Sequence, residues 1–536
     1  MSIVELSSVP ESETIEADIC IIGSGPAGAT LAIELAATKL RVVMVESGGL
    51  ERDAEADSLN EIESVGWPRV EDQWIVRNRI LGGSSHTWRG KCAPFDDIDY
   101  EVRDWVPHSG WPLRPSDLTH YLERSSSHMG LGAGSGYTGL DFWKIANRKS
   151  ETPTFNQRLL VPYFWQFTKD KYSPFDYMRF GKRLTRGDAG NATIFLHATV
   201  VHINADDVGA SVQSAEVRGR DGRLRTIKAP LIVLCAGGIE NARLLLSSNR
   251  QFPSGLGNQN DLVGRFLMDH PRGAVGTFNP ETSDEALDWF GLYNVKTKYG
   301  SHRYRHGLQL SPEYQRTHKL LNCAVFLEER LTDDDPWSAT IRLLRHQGTL
   351  PRDAINIVSN VDAMAKGIYQ YYVKKKGLTR KYERIELLGI VEQLPDPNSR
   401  ITLSDRKDVC GTPLAKIDWK VSGLEQETMR VTARLVTSEF ARLGLEPPEL
   451  ENWVTEGKGF PTNIRDVAHP TGTTRMSNIA SQGVVDVNCE VHGVRGLFVM
   501  GSSLFPTASH ANPTQMVAAL AIRLADLLKK RTKGQA

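Results

Sequence analysis

Among the short runs that are apolar without interruption are Ile19-Cys20-Ile21-Ile22, Leu231-Ile232-Val233-Leu234 and Leu497-Phe498-Val499-Met500. A run with no polar alternation is the pattern of a strand covered on both faces, as in a parallel sheet flanked by helices. The first passes through Gly23-Ser24-Gly25-Pro26-Ala27-Gly28 into an Ala/Leu-rich helical segment and then a second apolar strand ending at Glu46, so residues 17–49 read as strand, turn, helix, strand. The second crosses Cys235-Ala236-Gly237-Gly238 into a helical stretch that holds Asn241. After the third, Gly501-Ser502-Ser503 leads to Asn512-Pro513, which reads as the N-cap and first residue of a helix running to about residue 529.

Elsewhere the pattern is weaker. Residues 191–203 carry a strand pattern, and Asp221-Gly222 marks a hairpin within 211–234. Residues 116–129 predict a helix capped by Ser116, and 424–443 predict one that stops at Gly444. Residues 354–381 read as one helix whose basic end (Lys374, Lys375, Lys376, Arg380, Lys381) is a solvated face rather than a membrane patch. The acidic stretch 50–78 reads as an irregular connection. Residues 142–185, rich in aromatics but without a period, suit irregular segments lining a substrate domain.

At 536 residues the chain exceeds what one core usually holds, so two domains are expected. Lys plus Arg and Asp plus Glu balance at 64 each, which gives no electrostatic argument for nucleic acid or an anionic membrane and leaves a small molecule as the partner. Six scattered cysteines without zinc spacing fit a reduced, cytoplasmic protein. The acidic first eighteen residues lack the pattern of a secretory leader, and no run is long and apolar enough to span a bilayer.

The glycines of the first turn have separate tasks. Gly23 allows the tight turn, Gly25 lets backbone approach a pyrophosphate, and Gly28 lets helix pack on strand, while the helix N-terminus offers amides and a positive dipole to phosphate. Glu46 stands where an acid accepts from ribose hydroxyls and repels a 2′-phosphate. These residues point to a dinucleotide, FAD or NAD. A second loop, Arg79-Ile80-Leu81-Gly82-Gly83-Ser84-Ser85-His86-Thr87-Trp88, could bring further amides and hydroxyls to a ligand.

Taken in order, these motifs, with Gly264-Arg265-Phe266-Leu267-Met268-Asp269-His270-Pro271, His469-Pro470-Thr471-Gly472-Thr473-Thr474-Arg475-Met476 and Asn512-Pro513-Thr514, resemble the glucose–methanol–choline (GMC) family of FAD-dependent oxidoreductases. Trp88 and Glu392-Gln393-Leu394-Pro395-Asp396-Pro397-Asn398-Ser399-Arg400 resemble its pyranose-oxidase-like and C-glycoside oxidase-like branch; residues 280–385 match no motif. The resemblance selects FAD. It implies an α/β fold with a Rossmann-like FAD-binding domain of the GMC/p-hydroxybenzoate hydroxylase type from residues 14–105, 190–270 and 465–532. A discontinuous α+β substrate domain on an antiparallel sheet would come from 106–189 and 271–464.

The same resemblance implies cofactor contacts from Gly23, Ser24, Gly25, Pro26, Ala27, Gly28, Glu46, Ser47, Arg79, Gly82, Gly83, Ser84, Ser85, Thr87 and Trp88. Further contacts would come from Val200, Val201, Ala236, Gly237, Asn241, Gly501, Ser502, Asn512, Pro513 and Thr514. Thr87 occupies the position of the histidine that carries covalent flavin in some members, so FAD is expected to be non-covalent; Gly501-Ser502 replaces the Asp-Gly of many members. His469 matches the catalytic base, with Asn512 as its partner and His510 as the rival for that place. The reaction implied is oxidation of CH–OH to a carbonyl on a sugar, glycoside or aminosugar. A non-sugar alcohol, or a non-redox lyase using FAD structurally, stands as the alternative, and oxygen, a quinone or a protein as acceptor stays open.

Overall fold

The computed structural model describes residues 1–533 except 71, 148, 151–153, 174–175, 207, 298–299, 345–347, 375–377 and 379. The three apolar runs lie in one six-stranded parallel sheet, in the spatial order Ser2–Glu5, Thr193–Leu196, Val42–Val45, Ile19–Ile22, Leu231–Leu234, Leu497–Val499. Ile21 pairs with Met44 on one side and Val233 on the other, and all of Ile19–Ile22 is buried. Cover on both faces is why these strands carry no alternation. The edge strand Ser2–Glu5 precedes residue 14, where the sequence reading began the domain; it is too short and too exposed to show a pattern.

The helix Pro26–Leu35 packs on this sheet and against Thr514–Lys533, while Gly237–Ser247 packs toward the strand Ala198–Ala205. That strand and the hairpin Val212–Gly219/Leu224–Lys228, whose loop has Gly222 at φ 76°, belong to a separate four-stranded sheet.

An eight-stranded sheet forms the second layer, in the order Glu449–Leu450, Arg272–Phe278, Tyr382–Val391, Cys323–Leu331, Gly300–Leu310, Leu160–Phe167, Lys91–Cys92, with Leu292–Thr297 paired to Gly300–Leu310. Its pairings are antiparallel. Period 2 divides its faces. Val325 and Leu327 pack with Met429 and Val436 of the helix Gly423–Arg442, whereas Phe326 points the other way, into a cavity between the layers.

Several local expectations are corrected. Residues 142–185 are not irregular throughout: Leu160–Phe167 is a strand of the large sheet, and its missing period reflects burial of seven of its eight residues. The stretch 50–78 contains the strand Ile62–Gly66, paired in parallel with Pro413–Trp419. Residues 354–381 do not form one helix; Leu350–Val358 and Val361–Tyr372 are separated at Ser359-Asn360. At the basic end, Arg380 pairs with Asp335 (2.7 Å) and Lys381 with Asp334 (2.5 Å), while Lys375 and Lys376 lie outside the described residues. Ser116 is not a cap, because Pro115 takes the first helical position of Pro115–Met129 and Arg114 precedes it; Arg114 N donates to Asp117 Oδ2 (2.9 Å). The helix Gly423–Arg442 does end before Gly444, which adopts φ 73°. Among the described residues no helix is long and apolar enough to cross a membrane.

Candidate active site

The glycine turn after Ile19–Ile22 is fixed by what surrounds it. Gly23 has φ 101°, and a Cβ there would lie 2.7 Å from the Cys235 carbonyl oxygen; one at Gly28 would lie 2.0 Å from the Gly23 carbonyl oxygen. A Cβ at Gly25 would meet nothing within 4 Å. The outer glycines therefore serve packing, and the middle one faces open space.

Ser24 links three motifs. Its N (3.1 Å) and Oγ (2.5 Å) donate to Glu46 Oε2, and its Oγ accepts from Gly82 N (2.9 Å). Glu46 Oε1 also accepts from Gly48 N (3.0 Å), and Arg79 Nη1 donates to Ser47 Oγ (3.0 Å). Gly82 is thus held behind the turn, while Gly83 and Ser84 reach the surface of a 240 Å³ cavity. That cavity is walled by Gly23 to Ala27, Glu46, Ser47, Arg79, Ala236, Gly237, Gly501, Ser502, Pro513 and Thr514.

Asn241 works behind the wall. Its Oδ1 accepts from Ala236 N (2.8 Å) and its Nδ2 donates to Ser503 Oγ (3.0 Å), which ties two loops together. Val200 and Val201, on Ala198–Ala205, do not line the cavity.

A second cavity, of 470 Å³, shares Pro26, Ser84, Ala468, His469 and Thr514 with the first, so the two run together. Such a continuous cleft, with bare glycine backbone and a helix N-terminus at one end, fits an elongated dinucleotide. Ser85, Thr87, Trp88 and Asn512 border the second part. Thr87 Oγ1 donates to Asn78 Oδ1 (2.7 Å), and His86 Nε2 lies 2.8 Å from the Leu81 carbonyl oxygen of its own loop.

His469 is placed by the Asp269 carboxylate. Asp269 Oδ1 accepts from the backbone N of His270 (2.8 Å), Val467 (3.2 Å) and His469 (3.0 Å), and Oδ2 accepts from Arg69 Nη2 (3.0 Å). These bonds hold Ala468 at φ 59°, a left-handed conformation that is costly for a residue with a Cβ.

The ring of His469 is set by a chain of hydrogen bonds. His270 Nε2 lies 3.3 Å from the Ala508 carbonyl oxygen, which can only accept, so that nitrogen carries a proton. Burial holds His270 below the usual imidazole range, so it is neutral and its Nδ1 is an acceptor. His469 Nδ1, 3.0 Å away, must then donate, which leaves His469 Nε2 with a bare lone pair. Burial, reinforced by His270, pushes His469 down to about 3, so it too is neutral. Sequence reasoning quoted His270 within a motif but gave it no role; its signal was the Asp-His-Pro triplet.

Asn512 and His510 part company. Asn512 borders the same cavity as His469, and its amide makes no hydrogen bond among the described residues. The expected cap is absent: the helix begins at Thr514, and Val517 N donates to the Pro513 carbonyl (3.0 Å). His510 is fully buried, edge-on to Tyr163 with ring centroids 4.6 Å apart, and does not border the cavity. Burial pushes it down to about 3.

The roof of the second cavity comes from the large sheet and was missed entirely. Lys91, Trp165, Arg272, Phe326 and Ile390 contribute to it from five strands. Each looks like an ordinary strand residue in sequence.

Known proteins are similar to this chain in sequence and in fold. A family model described as GMC oxidoreductase matches residues 395–521. The chain is 23% identical to 2-methyl-1,2-propanediol dehydrogenase of Mycolicibacterium austroafricanum, over 96% of each chain. It is 25% identical to the fructose dehydrogenase large subunit of Gluconobacter japonicus, over 96% of this chain and 98% of that one. The solved structure of a formate oxidase has the same fold, with a TM-score of 0.58 at 17% identity, over 98% of this chain and 100% of that one. Matched C-terminal segment, full-length relatives and shared fold make the chain similar to the GMC oxidoreductases and mark it as an FAD-dependent oxidoreductase.

Proposed function

We propose that the protein oxidises a CH–OH group of a sugar, glycoside or aminosugar to a carbonyl, with non-covalent FAD and His469 as the base. The bare Nε2 of His469, fixed by the His270–Ala508 chain, carries this reading. A neutral imidazole with one unshared lone pair facing a cavity can take the hydroxyl proton, and the free Asn512 amide can donate to the same substrate oxygen. When bound, FAD supplies the acceptor for the hydride that leaves the same carbon. The helix at Thr514–Lys533 directs its positive end toward this part of the cleft.

Trp165 and Phe326 support a sugar-like substrate, because aromatic faces can cover the C–H face of a ring while polar groups meet its hydroxyls. The full-length match to a fructose dehydrogenase subunit agrees with that class. Thr87 and the inward-turned His86 leave no imidazole for a flavin bond from this loop. The proposed partition keeps 14–105, 190–270 and 465–532 with the cofactor, with Ser2–Glu5 added to them and Lys91–Cys92 assigned to the substrate layer, together with 106–189 and 271–464. Six unpaired cysteines, five of them buried, support a reducing, cytoplasmic location.

H469A should retain flavin but lose roughly 10²- to 10⁴-fold in the rate of anaerobic flavin bleaching by substrate. Bleaching at a near-normal rate would sink the assignment.

A further inference from the structure

The roof of the second cavity carries charge that hydroxyl oxidation does not use. Lys91 opens the strand Lys91–Cys92, Arg272 opens Arg272–Phe278, and both border the cavity that His469 borders. Among the described residues neither side chain has a hydrogen bond or ion pair. Lys91 Nζ instead sits 3.9 Å from the centroid of the Phe326 ring. The nearby carboxylates are committed elsewhere. Glu328 accepts from Arg89 Nη1 (2.9 Å), and Asp466 is held by Arg69 Nη2 (3.0 Å), Val70 N (3.0 Å) and Ala468 N (3.2 Å).

Arg89, Lys91 and Arg272 therefore face a single carboxylate of their own, Glu328. Burial, with help from Arg305, pulls Lys91 down to about 7, and burial also lowers Arg272. Unpaired cations in a low-dielectric wall are destabilising unless something pairs with them. The cofactor's pyrophosphate is not that partner: the glycine loops that suit it wall the other cavity, to which neither Lys91 nor Arg272 contributes.

We propose that Arg272 and Lys91 form an anion subsite, and that the alcohol oxidised at His469 carries a carboxylate, as in a uronic acid, an aldonic acid or their glycosides. This rests on the oxidation reading above and adds to it the charge of the substrate. One planar guanidinium can take both oxygens of a carboxylate side by side, and one ammonium adds a point charge, which suits a singly charged planar oxyanion. Trp165 and Phe326 border the same cavity, Phe326 with Lys91 Nζ over its ring.

The test is equilibrium titration of the FAD-loaded enzyme with matched pairs: glucose and glucuronate, galactose and galacturonate, methyl glucoside and methyl glucuronide. Glucose 6-phosphate and glucose 6-sulfate serve as the other oxyanions. In at least one pair the carboxylate should bind on the order of tenfold tighter or more than its neutral counterpart. R272M and K91M should each reduce that ratio, R272M to near one, and R272K should restore part of it; retained flavin absorbance certifies that each variant is folded. H469A should leave the ratio unchanged. Equal binding, or no binding, across all pairs overturns the subsite, as does a preference that survives R272M or a phosphate or sulfate that binds more tightly than every carboxylate. If the acid binds preferentially yet never bleaches the flavin, the oxidation reading fails while the subsite stands.

Discussion

On the wall that the parallel sheet supplies, ligand space is bordered at several points by bare glycine backbone: Gly23, Gly25, Gly83, Gly237 and Gly501 all lie on it. On the wall that the antiparallel sheet supplies, it is bordered by side chains, with Lys91, Trp165, Arg272 and Phe326 arriving from separate strands. A backbone wall recognises what every member of a cofactor class shares, because amides and helix dipoles do not change with the side chains. A side-chain wall can be rewritten residue by residue without disturbing the sheet, since alternate positions point away into the opposite core. On the proposed function, cofactor and substrate recognition are thereby separated onto two layers.

The sharpest way to break this contrast is at the glycines. G28V should cost more than about 4 kcal/mol and abolish folded protein, because the new side chain has no room at the Gly23 carbonyl oxygen. G25V, on an ordinary φ of −61° with open space above it, should melt within a few degrees of wild type yet retain no flavin. Thermal melts and flavin absorbance separate the two; flavin retained by G25V would mean that the turn does not meet the cofactor.

Next in size is N512A. Loss of one donor to the substrate oxygen should slow anaerobic flavin reduction roughly 10- to 100-fold without loss of bound flavin. A rate unchanged in stopped-flow would remove Asn512 from the site.

On the side-chain wall, pH is informative. Lys91, lowered to about 7 by burial and by Arg305, with Arg272 and Arg89 opposing its charge and Glu328 favouring it, is charged below that pH and neutral above. The KM for a carboxylate substrate should therefore rise about 3- to 10-fold between roughly pH 6 and 9, while that of its neutral counterpart stays flat. His469, already neutral above about 3, adds no limb in this range. Parallel profiles for the two substrates would argue against a titrating Lys91 at the subsite.

The smallest effect belongs to H510F. His510 does not border the cavity that His469 borders and packs among Tyr163 and Trp165, so an apolar ring there should change flavin reduction by no more than about threefold. A collapse comparable to H469A would return His510 to the chemistry.

Much of the cofactor layer was legible because its constraints are local. Gly23, Gly25 and Gly28 act within one turn, Glu46 ends the strand beside it, and uninterrupted apolar runs announce strands covered on both faces. His469 and Asn512 were reached through the order of the motifs, and the fold brings them to one cavity. The helix break at Ser359-Asn360 and the strand Leu160–Phe167 escaped, since an almost wholly buried strand and a helical stretch broken at two residues leave no clear period.

The sequence by itself determined the parallel layer, its glycine turn and the motif that bears His469, the proposed base, because each depends on residues a few positions apart. Only the tertiary structure decided that His270 sets the protonation of His469, that His510 lies behind the wall and Asn512 on it, and that Lys91 and Arg272 converge unpaired. Those outcomes depend on which strands become neighbours and which face of each turns inward. Pairing of strands hundreds of residues apart fixes both, and no short window of sequence contains it.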